Sequence, residues 1–143
     1  MPADDPFDLR RFHDAQAAAY AQAAAELAAG VKRSHWMWFV FPQARGLGHS
    51  ETSRFYGIGS LDEARAYLAD PVLGPRLRDC AGVVTASAAP SLRSIFGTPD
   101  DVKFVSSMSL FALAMGGDGG VFRQALRRWN HGRFDERTMR LMM

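Results

Sequence analysis

Cysteine is nearly absent from this sequence. Cys80 is the only one among 143 residues, which excludes an internal disulfide and any zinc or iron–sulfur centre built from several thiolates. A strong charge of either sign is also missing: 17 Lys plus Arg stand against 15 Asp plus Glu, a formal +2. That surplus is too small to hold a polyanion by itself, so global charge argues against nucleic acid as a partner. Long hydrophobic runs are lacking too. The longest strongly apolar stretch, Trp36 to Phe41, falls far short of the ~20 residues that cross a bilayer. Met1 to Asp8 are acidic and hold no apolar signal core, so the expectation is a cytoplasmic protein with no membrane partner. His13, His35, His49 and His131 form no i, i+4 pair, so neither a metal site nor a cofactor is expected. Gly46-Leu47-Gly48 lacks the third glycine of a dinucleotide loop and the lysine of a P-loop.

What remains is ordinary globular material, with 48% hydrophobic and 22% charged residues, enough to bury one core in a single domain spanning residues 1–143. Helix signals recur along it. Asp5-Pro6 reads as an N-cap followed by proline, opening a helix that stops at Gly30. Leu9, Phe12, Gln16, Tyr20, Ala23 and Leu27 share one face of it, with Gln16 the polar exception. In the aromatic segment 35–42, Ser34 is a candidate cap and Pro42 a stop. No second strand exists to pair with it, so a short buried helix is expected. Ser50, Ser60-Leu61-Asp62-Glu63, Asp70-Pro71 and Ser91 mark further starts. Thr98-Pro99-Asp100-Asp101 opens a helix with proline at the first helical position and two carboxylates in its first turn. Residues 104–115 are apolar almost all round, so that helix belongs in the middle of the fold. After Gly116–Gly120 come one amphipathic helix and a last one capped by Asp135. The expected fold is all-α, a single compact domain of about six to eight helices around a buried central helix at residues 98–115.

Several strings carry a family resemblance. They are Ser34-His35-Trp36-Met37-Trp38-Phe39-Val40-Phe41-Pro42-Gln43, Arg11-Phe12 with Ala15-Gln16, Phe55-Tyr56-Gly57-Ile58, and Pro71 to Leu77. A further string runs from Phe96-Gly97-Thr98-Pro99-Asp100-Asp101-Val102-Lys103 into Ser106 to Phe111. Together, over residues 6 to 142, they resemble the bacterial family known as domain of unknown function 1810. The resemblance implies a mostly helical single-domain fold. It implies no activity and supplies no catalytic residues.

Chemistry must therefore be read from the residues. Lys32, Arg33, His35, Trp36, Trp38 and Gln43 crowd around the aromatic segment, with Gln16 and Tyr56 as candidate companions. An indole face can stack on a flat ring, an amide can read its edge, and Lys or Arg can hold an anionic group. That set suits a small anionic or nucleotide-like ligand. Set against this reading, aromatic runs in small domains commonly serve as core. His35 is the candidate for acid–base chemistry, since imidazole titrates near neutrality. Whether the protein is an enzyme is left open. Asp100 and Asp101 are explained as helix-start charge, and Cys80 as a small buried side chain. The competing reading is an interaction module that binds protein or nucleic acid through the C-terminal arginines: Arg123, Arg127, Arg128, Arg133, Arg137 and Arg140. Met139, Met142 and Met143 could serve self-association, and the sequence sets no oligomeric state.

Overall fold

Helix starts in this chain are made largely by short polar side chains. The structure, a computed structural model, describes residues 4–143; Met1 to Ala3 of the expected domain lie outside the described residues. Ser50, Ser60, Ser91 and Asp135 accept the amides of Ser53, Glu63, Ser94 and Thr138, each three residues on. Asp70 Oδ1 takes two amides, those of Val72 and Leu73. The resulting helices are α1 (Arg10–Ala29), α2 (Met37–Val40), α3 (Glu51–Tyr56), α4 (Leu61–Ala69), α5 (Leu73–Ala86), α6 (Leu92–Phe96), α7 (Asp100–Met115), α8 (Gly120–Trp129) and α9 (Glu136–Met142). These are nine helices among the described residues, more than the six to eight expected, because the short α2, α3 and α6 each count. Among the described residues no strand accompanies them; an isolated parallel bridge joins Ala44 to Ile58.

Four starts differ from expectation. α5 begins at Leu73 with Val72 at its cap position, not at Pro71 after Asp70. α1 begins at Arg10, not Pro6, because Pro6 to Asp8 form a turn and Asp8 adopts a positive φ of 52°. Asp5 still caps the helix across that turn, accepting the Leu9 and Arg10 amides at 2.8 and 3.0 Å. Ser34 does not cap α2; its hydroxyl donates to Glu26 instead, and Trp36 occupies the cap position. Pro99 likewise stands at the cap position of α7, one residue before the first helical one.

α7 is the central helix. Phe104, Met108, Leu110 and Phe111 are almost wholly enclosed, and α4, α6, α8 and α9 pack around it. α1 and α2 lie against each other, and α5 joins α1 to α4 and α8. Phe41 meets Phe96 and Phe104 edge-on, with ring centroids 5.9 and 5.0 Å apart. The aromatic segment divides in two: Trp36, Met37, Val40 and Phe41 are core, whereas Trp38 and Phe39 remain half-buried. Its helical, largely buried character is as expected.

The α4–α5 corner depends on Gly74. A Cβ there would collide with the Leu68 carbonyl. Gly74→Ala is expected to lower stability by about 1–3 kcal/mol through forced backbone displacement. Urea unfolding checks this, and an unshifted midpoint would show that the corner yields freely.

Candidate functional site

The wall of the site begins with how the chain anchors α2. Glu26 is buried near the end of α1, yet among the described residues no cation pairs with it. Its Oε1 accepts the Arg33 amide (2.7 Å), the Ser34 amide (2.9 Å) and the Trp36 indole N–H (2.9 Å). Its Oε2 accepts the Ser34 hydroxyl at 2.6 Å and the Gln22 amide at 2.8 Å. Burial alone would push this carboxyl up. The bonds from Ser34, Arg33, Gln22 and Trp36 outweigh it and hold the group well below the usual carboxylate range. Gln16 anchors the other side of α2. Its Nε2 donates to the Phe39 carbonyl (2.7 Å) and to the Tyr67 hydroxyl (3.1 Å), and its Oε1 accepts from Arg76 at 3.3 Å. This bonding accounts for the polar residue in the apolar stripe.

With α2 held, Trp38 presents its ring to α7. Lys103 Nζ sits 3.7 Å from the Trp38 ring centroid and 3.3 Å from Asp100 Oδ1. Asp100 Oδ2 takes Lys32 at 2.9 Å, so two ammonium groups share one carboxylate. Beside this trio opens a cleft of about 180 Å³, whose polar lining is Gln43, Lys103, Ser106, Asp135 and Arg137. Trp38, Pro99, Val102 and the loop residues Leu47 and Gly48 complete it, and a shallow extension reaches Tyr56. The loop is held from behind: the Ile58 amide donates to the Gln43 carbonyl (2.9 Å), the Arg45 amide to the Ile58 carbonyl (2.8 Å), and Arg137 to the Leu47 carbonyl (3.1 Å).

Of the eight residues singled out in the sequence, Trp38, Gln43 and Tyr56 come together at this cleft. Gln16 and Trp36 are enclosed and hydrogen-bonded within the fold, and Lys32 is committed to Asp100. Arg33 and His35 stand exposed and do not line the cleft. Sequence reasoning missed Lys103, Ser106, Asp135 and Arg137, which arrive from α7 and the start of α9. The one available signal was Lys103 three residues after Asp100 in a helix, a spacing that predicts an ion pair and says nothing of Trp38.

Elsewhere, His13 Nε2 lies 2.8 Å from Asp70 Oδ2, tying α1 to the start of α5. Burial would raise the Asp70 carboxyl, but the Leu73 amide, His13 and the Val72 amide hold it below its ordinary value. Among the described residues no group of three His, Cys, Asp or Glu is placed to bind a metal ion.

Of the C-terminal arginines, Arg127, Arg128, Arg133, Arg137 and Arg140 are exposed, and several of the six lean on neighbouring groups. Arg123 lies over Phe134, Arg128 stacks on Trp129 at 3.8 Å and donates to the Ser87 carbonyl, and Arg140 approaches Glu136 at 3.9 Å. No helix among the described residues is long and apolar enough to cross a membrane.

Comparison with known proteins agrees with the fold. A family described as a protein of unknown function, DUF1810, matches residues 6–142. The conserved hypothetical protein Rv1873 from Mycobacterium tuberculosis, solved as a crystal structure, is 51% identical with a TM-score of 0.93. That match covers 96% of this chain and 98% of the other. No curated protein matches the chain.

Proposed function

The chain belongs to the DUF1810 family of proteins of unknown function, and from that premise we propose that it binds a small anion in the cleft beside Trp38. The observation that carries this is Lys103. An ammonium clamped between an indole face and a carboxylate loses little side-chain freedom when it meets a ligand, so binding costs less entropy. Trp38 acts as the platform that fixes Lys103, since the ammonium already covers that face of the ring. Gln43 and Arg137 offer further donors on the same wall.

Size narrows the ligand. At about 180 Å³ the cleft lies below the ~300–1,000 Å³ of pockets that enclose drug-sized molecules. It suits a small anion better than a whole nucleotide. Lys103→Met tests the reading, because the methionine keeps an apolar stem on Trp38 while Asp100 retains Lys32. Titrating acetate and phosphate by calorimetry and thermal shift should show binding to the unaltered protein and about tenfold weaker binding to the variant. Equal affinities, or no anion bound by either protein, would overturn it.

A further inference from the structure

Resting on the reading of the cleft as an anion site, we infer that its ligand is a small monocarboxylate bearing a hydroxyl donor. Three features of the cleft lead there.

The first is charge. Lys32 and Lys103 share Asp100, which leaves one positive charge unbalanced. Arg137 and Asp135, both on the lining, offset each other. A monoanion brings the whole group to neutrality. A phosphate dianion would leave an excess negative charge in a partly desolvated space, where charge imbalance is costly.

The second is the inventory of unspent hydrogen-bonding groups. Lys103 pairs with Asp100 at 3.3 Å, a contact that can engage at most one of its three protons. Arg137 donates to the Leu47 carbonyl through Nη2 only, and the Gln43 side chain has no partner among the described residues. These are donors for a carboxylate. On the acceptor side, Asp135 Oδ2 is occupied by the Thr138 amide (2.9 Å) and the Thr138 hydroxyl (2.6 Å). Its Oδ1 takes no bond among the described residues, so a lining carboxylate keeps one oxygen for a donor. A second anionic oxygen placed there would be repelled, whereas an O–H would be bound. The lining therefore asks for a carboxylate and a hydroxyl on one molecule.

The third is room. A cleft of about 180 Å³ has room for only a few water-sized groups. Glycolate and lactate are of that size; a sugar phosphate is not.

The test compares glycolate and lactate with acetate and propionate, which lack the hydroxyl, and with inorganic phosphate. Calorimetry on the full chain is the readout. Glycolate is expected to bind about tenfold more tightly than acetate, a hydrogen bond to a charged acceptor being the difference. Asp135→Ser keeps a capping oxygen for Thr138 and deletes the second oxygen. In that variant the glycolate-to-acetate ratio should fall to about one, with acetate bound no more weakly, because Arg137 then lacks its counter-charge. Equal binding of acetate and glycolate, still dependent on Lys103, would overturn the hydroxyl assignment and leave the anion site standing. Phosphate binding more tightly than glycolate would overturn the monocarboxylate assignment. Should none of these anions bind, the anion site itself falls. The glycolate-to-acetate comparison on the unaltered protein decides the matter even if Asp135→Ser does not fold.

Discussion

Arg11→Ala should destabilise the fold by about 3–5 kcal/mol, the cost of leaving one member of a buried ion pair without its partner. Both side chains of the Arg11–Glu63 pair are almost wholly enclosed, and the charged atoms are 2.6 Å apart. All five guanidinium N–H groups are in use. Nε donates to the Phe55 carbonyl, Nη1 to those of Phe7 and Asp8, and Nη2 to Gly57 and Glu63. One residue thus ties the N-terminal turn and the 55–57 corner to α4. Lysine has three donors and no planar fork, so Arg11→Lys should recover only part of the loss. Replacing Arg11 and Glu63 together by methionines should be milder than Arg11→Ala, because neither charge is then stranded. Denaturant unfolding measures all three, and an Arg11→Ala loss under ~1 kcal/mol would sink the account. The corner Arg11 holds carries Tyr56 and leads into Ile58, which bonds the Gln43 backbone. Weaker anion binding in Arg11→Lys is therefore expected even where the variant stays folded.

Glu26 should give the second large effect. Truncation to alanine strands the Trp36 indole N–H inside the core and frees the Arg33 and Ser34 amides. A loss of about 3 kcal/mol is expected, since each buried donor left unmade costs ~1–3 kcal/mol and the loop amides can turn to water. Glu26→Gln should cost less, because an amide oxygen still receives the donors that Oε1 takes. The pH dependence separates charge from shape. The folded carboxyl is held below its ordinary value, so its contribution is complete above the unfolded value of ~4.3 and is lost as pH falls towards the folded one. The stability gap between the unaltered protein and Glu26→Gln should therefore be widest at neutral pH and close steadily below about pH 4. A gap that stays constant from pH 7 to pH 3 would show that the carboxylate charge contributes nothing.

Glu26 did not stand out in the sequence, and Arg11 did so only within a string that carries the family resemblance. Each sits in an ordinary helical position, and apart from the nearby Phe7 and Asp8 carbonyls the partners of Arg11 lie 44 to 52 residues away. Local rules see a residue and its neighbours three or four positions off; these networks form only after α1 has docked. Gln16 was visible as a polar break in an apolar stripe, but nothing nearby said that it would bond Phe39 and Tyr67 rather than a ligand. The cleft was half legible for the same reason. Trp38 and Gln43 belong to the conspicuous aromatic string, whereas Lys103, Asp135 and Arg137 reach it from 60 or more residues further along the chain.

The amino-acid sequence by itself determined the all-helical architecture, the caps at Ser50, Ser60, Ser91 and Asp135, the glycine stop at Gly30, and the central place of the helix expected at residues 98–115. Those features follow from side-chain period and from hydrogen bonds made within a few residues. The tertiary structure decided which polar side chains are spent on holding the fold and which remain free to meet a ligand. That division turns on desolvation and on partners brought together by packing, and of the residues first singled out it leaves Trp38, Gln43 and Tyr56 at the proposed cleft beside Lys103.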